Sequence, residues 1–600
     1  MSDEAHAHLT GAGEYDCAPE PLPTLRHSTA HLLAQAATQL FPEVRLAIGP
    51  PIENGFYYDF QRDTPFTEED LARLEERMRE LAKADYPIVR EERSREEAIR
   101  FYRDRHEPFK VEILEALPPE VTRVSFYRQG EFVDLCRGPH VPSTGHIHAF
   151  KLLSSSGAYW RGDEHRPMLQ RIYGTAWPTQ EELDRHLWRL AEAKRRDHRK
   201  LGRELELFAF HDVSPGAPFW LPKGMIVFRE LERFARELQD ARGYQEVSTP
   251  ILVNRRLWEQ SGHWEHYAEN MFRVEAEEQV FALKPMNCPE STFMYRHALR
   301  SYRDLPLRFA EMGRLHRNER SGTLTGLFRV RQFTQDDAHI YCRPDQLQAE
   351  IMGVLELVGV FYRTFGLEPQ FKLATRPDRF LGTPEQWDHA ERALEEALRA
   401  NGLPFTVKPG DGAFYAPKID IHIEDVLGRD WQMATIQADL TMLPERFALE
   451  YVDADGQPKR PVAIHRAIFG SFERFIGILI EQFGGAFPTW LAPVQVRVLP
   501  VSARHGEYAV AVHRRLVAAG VRAELDDRSE KLGYRVREAQ LQKLPYALVV
   551  GEREARDGTA SVRKRGGEDV GAMPVDAFLA EVTAEIRARA VTSRIGPERG

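Results

Sequence analysis

The sequence predicts a multidomain α+β protein, and three observations support that fold class. The chain has 600 residues, which suggests about four domains. Residues 206–493 alternate long helices with strands, and one of these strands carries an unusual row of polar side chains. From Val494 onward, short strands and helices alternate, which is typical of a small α/β domain with a mainly parallel sheet.

The N-terminal third of the chain mixes helices with short strands. We expect residues 1–20 to form a disordered tail and residues 21–180 to form the first domain. Within it, Leu71–Ala84 is charge-rich and helical, and Pro87 follows as a stop signal. Residues 180–205 are predicted to form one charged helix, because their leucines recur at 4- and 3-residue spacing on one helical face. This helix would be a rigid connector.

The C-terminal domain, residues 494–600, follows the central unit. Its predicted elements are a strand at 494–501, a helix at 507–519, a strand at 521–525, a helix at 530–543 and a strand at 546–551.

Composition narrows the class of protein. The chain is 42% hydrophobic, 29% charged and 10% aromatic, which is typical of a soluble globular protein. No apolar run is long enough to span a membrane, and the N-terminus has no secretory signal. Four dispersed cysteines argue against a disulfide scaffold and indicate a reducing cytosol, so we expect a cytoplasmic protein.

Charge gives a mixed indication about nucleic acid. The net charge is −10, so an RNA or DNA partner would need a local basic surface. Residues 194–200, Lys-Arg-Arg-Asp-His-Arg-Lys, are one candidate, although a solvated helix face explains them equally well.

The central unit contains a segment in which every second residue carries a side chain that could bind a substrate: a cation, an aromatic ring, an amide, a carboxylate or an imidazole. Side chains alternate faces along a β-strand, so these residues would all point one way over about 33 Å. The alternative is a solvated edge strand. The residues are Arg329, Arg331, Phe333, Gln335, Asp337 and His339.

Two further segments flank this strand. Residues 308–326 read as a strand and a Gly-containing polar loop, which predicts a hairpin with Arg317 and Glu319 at its tip. An arginine there has the planar fork that clamps a phosphate. Residues 465–474 lead into a helix whose aromatic and aliphatic stripe is core, which leaves Arg474 off the stripe near the helix N-terminus.

These segments resemble motifs 2 and 3 of the class II aminoacyl-tRNA synthetases, and residues 243–250 resemble motif 1, which implies a homodimer. Residues 283–289, 333–339, 412–418 and 487–493 are similar to the threonyl branch of that family. The resemblance runs from about residue 25 to the end. It implies an N-terminal α+β editing domain (21–180), a linker helix (181–205), a class II catalytic domain with an antiparallel sheet flanked by helices (206–493), and a C-terminal α/β anticodon-binding domain (494–600).

The resemblance implies a threonine–tRNA ligase, which activates L-threonine with ATP and transfers it to tRNA(Thr). It places one zinc ion per subunit on Cys288, His339 and His465, although Cys288 taken alone reads as a buried thiol. Three ligands leave a fourth position open on tetrahedral zinc, where threonine can bind through its amino and hydroxyl groups. Valine lacks the hydroxyl and would be rejected.

The resemblance also assigns the ATP and amino-acid contacts. Arg317 and Arg474 would bind phosphates, and Arg329 would touch the α-phosphate and the carboxylate, with Mg²⁺ accompanying ATP. Catalysis would then be positioning and charge neutralisation. The remaining predicted contacts are Phe333 under adenine, Asp337 and Tyr415 at the amino acid, and Gln335, Gln437 and Glu319 on the substrate or adenosine side.

Serine differs from threonine by one methyl group, which is worth only about 10–200-fold in discrimination, so a hydrolytic second site for seryl-tRNA(Thr) is expected. In the N-terminal domain, His27 and His31 share one helical face. The ligand types alone indicate a zinc site there. A structural histidine cluster is an alternative interpretation. The resemblance implies a metal-free pocket. The residues are His27, His31, Lys110, Asp134, Cys136 and His140, with Lys110 and Asp134 positioning the water and the tRNA 3′ end.

In the C-terminal domain, Glu554 and Arg563 match positions that would read anticodon bases, which an RNA loop presents splayed and single-stranded. The chain also departs from the family pattern. We expect the N-terminal β-grasp domain of the bacterial enzymes to be missing. The atypical residues are Glu290, Ser291, Thr325, Gln332 and Ser529.

Two alternatives remain open. A synthetase-like RNA-binding regulator without catalysis would typically have lost phosphate arginines or metal ligands, and all six of those side chains are present. A class II ligase for another amino acid, such as proline or serine, would not need an open three-ligand zinc.

Overall fold

The structure, a computed structural model, describes residues 21–595. The predicted tail at 1–20 therefore lies outside the described residues. The chain divides into two compact units between residues 191 and 192. Within residues 21–595, no helix has the length and apolar character needed to cross a membrane.

The first unit is built from two antiparallel sheets and the helices packed on them. A five-stranded sheet has the order β1-β3-β8-β7 with β2 beside β3, and a three-stranded sheet has the order β4-β5-β6. Its helices are α1 (Pro21–Leu40), α2 (Glu68–Lys83), α3 (Arg95–Asp104), α4 (Pro108–Glu115) and the start of α5 (Gln180–Arg196). Its strands are β1 (Arg45–Leu46), β2 (Pro51–Ile52), β3 (Gly55–Gln61), β4 (Ile88–Ser94), β5 (Arg123–Gln129), β6 (Phe132–Leu135), β7 (Ala149–Tyr159) and β8 (Met168–Trp177).

Two helices of this unit show how the sequence sets the local structure. Helix α2 begins where Thr67 and Asp70 form a capping box, and it ends at Lys83, close to the predicted stop. Helix α1 is largely buried and packs through its alanines and leucines against β3, β8 and α2. Burial of α1 brings its two histidines into the interior of the unit.

An eight-stranded sheet organises the second unit, in the order β11-β15-β16-β23-β20-β19-β17-β18. Only the two outermost pairs, β11 with β15 and β17 with β18, are parallel. Its helices are α6 (His198–Glu204), α7 (Pro222–Asp240), α8 (Arg255–Ser261), α9 (His263–His266), α10 (Cys288–Arg296), α11 (Leu347–Arg363), α12 (Pro384–Ala400), α13 (Met442–Arg446) and α14 (Phe472–Gln482). Its strands are β9 (Phe208–Ala209), β10 (Phe219–Trp220), β11 (Gln245–Glu246), β12 (Leu252–Asn254), β13 (Arg273–Ala276), β14 (Gln279–Leu283), β15 (Leu307–His316), β16 (Gln332–Cys342), β17 (Pro369–Ala374), β18 (Phe405–Lys408), β19 (Lys418–Glu424), β20 (Asp430–Asp439), β21 (Tyr451–Val452), β22 (Pro458–Lys459) and β23 (Val462–Ser471).

The predicted polar strand differs from the observed one in its start and its place. Strand β16 begins at Gln332 rather than Arg329, so only part of the predicted row alternates along a strand. The backbone of Arg329 instead bridges Thr325, and the Arg331 N–H donates to the Gly216 carbonyl at 2.6 Å. The strand is also central in the sheet and buried on both faces, which rules out the edge-strand alternative.

The predicted connector helix over 180–205 is two helices, α5 and α6. The chain breaks at Asp197, whose backbone leaves the helical region and whose side chain accepts from the Arg199 N–H at 2.8 Å. Asp197 is therefore the N-cap of a new helix, which begins at His198.

The C-terminal part of the second unit is a five-stranded sheet of order β25-β24-β26-β27-β28. The three strands predicted from the sequence are parallel, and β27 and β28 add an antiparallel hairpin. The elements are β24 (Val496–Pro500), α15 (Gly506–Ala518), β25 (Ala523–Leu525), α16 (Leu532–Leu541), β26 (Tyr546–Val550), α17 (Glu552–Asp557), β27 (Thr559–Lys564), β28 (Asp569–Pro574) and α18 (Val575–Arg587).

Candidate active site

A hairpin delivers the first group of candidate residues. Strands β15 and β16 pair antiparallel from Leu307–Tyr341 to His316–Gln332, as the sequence predicted. The connecting loop, residues 317–331, carries Arg317, Glu319 and Arg329. Its two ends are closed by the Arg317 N–H, which donates to the Arg331 carbonyl at 2.9 Å.

Three arginines converge beside this loop. Arg474 lies in the first turn of α14, where its N–H is capped by Ser471 Oγ, and its Nε donates to the Phe328 carbonyl at 3.1 Å. Burial lowers the pKa of Arg474, and the nearby charges of Arg317 and Arg329 lower it further. Glu319 opposes this effect and accepts from Arg329 Nε at 2.9 Å. Three guanidiniums with one carboxylate form a cationic site suited to a polyphosphate.

The second group is a cluster of one sulfur and two imidazoles. Cys288 begins helix α10, and His339 and His465 lie directly opposite each other on the neighbouring strands β16 and β23. All three are buried, and their ligand atoms lie within 4.8 Å of one another. Burial raises the pKa of the Cys288 thiol and lowers the pKa of His339. The structure thus brings together three donors that are far apart in the sequence.

The donor set fits a metal ion. Within the described residues, His339 Nε2 and His465 Nδ1 are buried without a hydrogen-bond partner. A buried imidazole nitrogen that lacks a partner is costly unless it binds something. One thiol and two imidazoles are typical ligands of a zinc site that keeps an open position.

A carboxylate behind this cluster was missed by the sequence analysis. His465 Nε2 donates to Asp439 Oδ2 at 3.0 Å. Asp439 is fully buried and also accepts three backbone N–H groups at the start of α13, from Thr441, Met442 and Leu443. This bond leaves the other ring nitrogen of His465 facing the cluster, as carboxylate partners of metal-binding histidines commonly do. No spacing pattern in the sequence pointed to Asp439.

The predicted amino-acid contacts surround the same cluster. Asp337 lies 4.0 Å from His339 Nε2 and accepts from Asn287 Nδ2 at 3.0 Å, a partner that the sequence analysis also missed. Tyr415 packs its ring 5.4 Å from that of His465, and its hydroxyl donates to Gln437 Oε1 at 2.7 Å.

The remaining predicted contacts lie along β16. Gln335 faces Ser471 across a bulge between β16 and β23. Phe333 is buried, with the Arg317 guanidinium 5.0 Å from its ring centroid. The predicted row of side chains therefore leads from the arginines to the cluster of Cys288, His339 and His465. The first two residues of the row, Arg329 and Arg331, lie in the loop rather than in the strand.

The first unit holds a second cluster of predicted residues. Helix α1 contributes His27 and His31, and Cys136 and His140 follow strand β6. Cys136 Sγ lies 3.2 Å from His27 Nε2 and 3.1 Å from His140 Nε2. These sulfur and nitrogen atoms contact each other directly, whereas the two imidazole nitrogens named in the Cys288 cluster have no hydrogen-bond partner among residues 21–595.

Hydrogen bonds define the state of His140. Ser28 Oγ donates to the Thr24 carbonyl at 2.8 Å and so accepts from His140 Nδ1 at 3.0 Å. The other nitrogen of His140 is then an acceptor that faces the Cys136 thiol. Burial raises the pKa of Cys136 to about 12 and lowers the pKa values of His31 and His140, so these groups are neutral near pH 7.

Asp134 and Lys110 form a buried pair next to this pocket. Lys110 Nζ lies 2.6 Å from Asp134 Oδ1, and both residues are almost fully buried. Asp134 also accepts from the hydroxyls of Tyr58 at 2.7 Å and Tyr102 at 3.1 Å, two residues that the sequence analysis did not single out. These partners fix the Asp134 carboxylate beside Lys110, and its Oδ2 also lies 3.8 Å from His31 Nδ1 in the pocket.

The two predicted anticodon residues lie on consecutive elements of the C-terminal part, helix α17 and strand β27. Glu554 is in the first turn of α17 and accepts from the Gly551 N–H at 2.9 Å. Arg563 is on β27, with its guanidinium 3.4 Å from Asp569. Within the described residues, Arg563 Nε is buried without a partner.

Comparisons with known proteins agree with this architecture. Residues 272–483 match the tRNA synthetase class II core domain (G, H, P, S and T), residues 495–585 match the anticodon binding domain, and residues 124–173 match the threonyl and alanyl tRNA synthetase second additional domain. The predicted fold class is confirmed by these matches.

Curated relatives and solved structures narrow the family. The threonine–tRNA ligase of Caldanaerobacter subterraneus subsp. tengcongensis is 55% identical over 94% of this chain and 87% of its own length. That of Thermotoga neapolitana is 54% identical over 95% of this chain and 89% of its own. A crystal structure of the RNA binding domain of threonyl-tRNA synthetase from Cryptosporidium parvum aligns at 44% identity and a TM-score of 0.62, over 65% of this chain and 98% of that one. Because identity is this high over nearly the whole chain, the protein belongs to the threonine–tRNA ligase family of class II aminoacyl-tRNA synthetases.

Proposed function

We propose that this protein activates L-threonine with ATP and Mg²⁺ to threonyl-adenylate, transfers it to tRNA(Thr), and hydrolyses mischarged seryl-tRNA(Thr). The observation that carries the proposal is the Cys288–His339–His465 cluster, with its two unpaired imidazole nitrogens, next to Asp337 and Tyr415. A zinc ion bound there would supply a Lewis-acidic position for the amino and hydroxyl groups of threonine.

The protein's own side chains would do the rest of the activation step. Asp337 and Tyr415 orient the amino acid, and Gln335 and Gln437 lie beside them on β16 and β20. Arg317, Arg329 and Arg474 neutralise the charge that develops on the phosphates, with Glu319 holding Arg329. Adenine stacks on Phe333.

The test of this function is ATP–pyrophosphate exchange with threonine, serine and valine as substrates. Threonine should support rapid exchange. Serine should be about 10–200-fold weaker because it lacks one methyl group, and valine should be weaker by roughly 10⁴ because it lacks the hydroxyl that the site pairs. Exchange that depends on proline or serine but not on threonine would refute the proposal.

We propose that the His27–His31–Cys136–His140 pocket is the metal-free editing site. Two observations support this reading: Cys136 Sγ already contacts two imidazole nitrogens, and burial keeps Cys136, His31 and His140 neutral near pH 7 by raising the thiol pKa and lowering the imidazole pKa values. A neutral imidazole can accept a proton from a water that attacks the seryl ester. Lys110, held by Asp134, lies beside the pocket and would position the tRNA 3′ end.

Replacing both His31 and Cys136 with alanine should leave threonine charging intact while seryl-tRNA(Thr) accumulates. The loss of one side of the pocket should slow deacylation by about 10²–10⁴-fold, the usual contribution of a positioned proton-transfer group. Hydrolysis of preformed seryl-tRNA(Thr) measures this directly. His165→Ala, at an exposed histidine of the same unit, is the matched control. If the double variant clears seryl-tRNA at the parent rate, the pocket is misassigned.

We also propose a homodimer that forms through residues 243–250. Strand β11 lies in this segment at the edge of the eight-stranded sheet, and Ile251 and Leu252, which follow the segment in sequence, are exposed to 40% and 46%. An edge strand next to exposed apolar side chains is suited to pairing with a second copy. The three described cysteines are free, which supports a cytoplasmic location.

For the domains, we propose an editing domain at 21–180, a linker at 181–205, a catalytic domain at 206–493 and an anticodon-binding domain at 494–600. The family matches fall inside three of these ranges. Glu554 and Arg563 would read anticodon bases, and the buried Arg563 Nε supports a binding role for that side chain.

A further inference from the structure

A third cluster of side chains that could bind a metal ion lies outside the sites already described. Asp197, His198 and Glu481 bring their ligand atoms within 4.8 Å of one another. Both ring nitrogens of His198 are already used: Nδ1 donates to Glu481 Oε1 at 2.7 Å, and Nε2 accepts from the Leu327 N–H at 3.0 Å. Because His198 keeps no free lone pair, this cluster is a structural clamp rather than a metal site.

The clamp holds the loop that carries the phosphate-binding arginines. Leu327 lies two residues before Arg329 in the loop 317–331. The His198 ring packs on the next residue, Phe328, with ring centroids 4.1 Å apart. The carbonyl of Phe328 in turn accepts from Arg474 Nε at 3.1 Å. His198 therefore contacts the two residues, 327 and 328, that directly precede Arg329 in the chain, and the second of these accepts the Arg474 hydrogen bond.

Close approach of the loop to His198 is built into the sequence. Gly326 has a φ of +50°, and a Cβ at this position would lie 2.2 Å from His198 Nε2. A larger residue would therefore push the loop away from the histidine.

Glu481 keeps His198 in place from the other side. Its carboxylate also accepts from the His198 N–H at 3.1 Å and pairs with Arg429. Arg429 lies over the rings of Phe328 and Trp431. His198 and Glu481 are 2% and 3% exposed, so water does not compete for these bonds.

We propose that His198 is a positioning residue in ATP binding. It orients Arg329 and Arg474 because it accepts the Leu327 N–H and supports the Phe328 ring. The inference rests on the proposed ATP-dependent activation. His198 does not touch substrate, and it acts through the loop 317–331.

The test compares His198→Phe with His198→Gln in threonine-dependent ATP–pyrophosphate exchange on the full chain. Phenylalanine keeps a ring against Phe328 but loses both hydrogen bonds, whereas glutamine offers one donor and one acceptor. His198→Phe should raise the KM for ATP about tenfold, because the buried Leu327 N–H loses its acceptor and the loop that carries Arg329 is no longer held. The KM for threonine should stay unchanged, and His198→Gln should restore most of the ATP affinity. His389→Phe, at an exposed histidine on α12, is the matched control.

Amide hydrogen exchange gives a readout that does not need activity. Loop 317–331 should exchange faster in His198→Phe than in the parent, while strand β23 should not change. Should His198→Phe fail to fold, Gly326→Ala displaces the loop from the other side and should show the same ATP-selective defect.

Three results would overturn the inference: unchanged kinetics and loop exchange in His198→Phe, an equal rise of both KM values, or a folded His198→Gln variant as defective in ATP use as His198→Phe. A parent protein without threonine-dependent exchange would instead refute the proposed function. The two failures are therefore distinguishable.

Discussion

Replacing Cys288 with serine should abolish zinc binding and threonine-dependent pyrophosphate exchange together. The cluster has one sulfur, and a serine hydroxyl is a far weaker zinc ligand than a thiolate. Two imidazoles alone would hold the ion weakly. Loss of a residue that only supports a ligand lowers metal affinity by up to about a hundredfold, so we expect at least that loss when the ligand itself is removed. Metal content by atomic absorption, measured on the same samples as exchange, checks both effects.

The matched control is Cys342→Ser. Cys342 is also buried, and it ends strand β16 three residues after His339, but it packs in the hydrophobic core rather than in the cluster. This variant should keep its zinc and its exchange activity, apart from a modest loss of thermal stability. A metal-free Cys288→Ser protein with normal exchange would falsify the zinc role.

Replacing Arg474 with alanine should lower the rate of activation by about 10²–10³-fold, the usual cost of removing one preorganised group that stabilises developing charge. The Arg474 side chain is half-buried, and burial together with the charges of Arg317 and Arg329 lowers its pKa. A bound polyphosphate would neutralise these neighbouring positive charges. Because Arg474 lies with Arg317 and Arg329, the arginines proposed for the phosphates, rather than with Asp337 and Tyr415, threonine affinity should change little. Single-turnover adenylate formation and threonine binding measure the two effects separately.

Arg474→Lys separates charge from geometry. Lysine keeps the positive charge but lacks the planar fork, so an intermediate activation rate is expected. Arg303→Ala removes an exposed arginine whose Nε donates to the Tyr302 hydroxyl at 3.1 Å, and this variant should activate like the parent. An unchanged activation rate in Arg474→Ala would remove this residue from the phosphate site.

Local patterns predicted the elements that depend on neighbours in sequence. The hairpin of β15 and β16 follows from two strands and a polar loop, and the core stripe of α14 follows from its helical spacing. The break at Asp197 was also readable, because Asp is a preferred N-cap, but the long run of charged residues favoured one continuous helix.

Contacts between distant segments could not be read from the sequence. The paths of Arg329 and Arg331 are set by partners at Thr325 and Gly216, so the strand starts later than the alternation indicated. His339 and His465 meet because β16 and β23 are neighbours in the sheet, which no spacing rule expresses. The family resemblance grouped Cys288 with them, but Asp439 and the role of His198 needed three-dimensional contacts.

The pairing of His339 with His465 across β16 and β23 has a consequence for biosynthesis. Neither strand can present both imidazoles alone, so the zinc ion proposed for the Cys288–His339–His465 cluster would find its full donor set only after the nascent chain has emerged beyond residue 471 and β23 has docked. For the proposed zinc ion, acquisition at this site would be a late event in maturation, and a ribosome-stalled fragment that ends before β23 would lack His465 and with it the complete donor set.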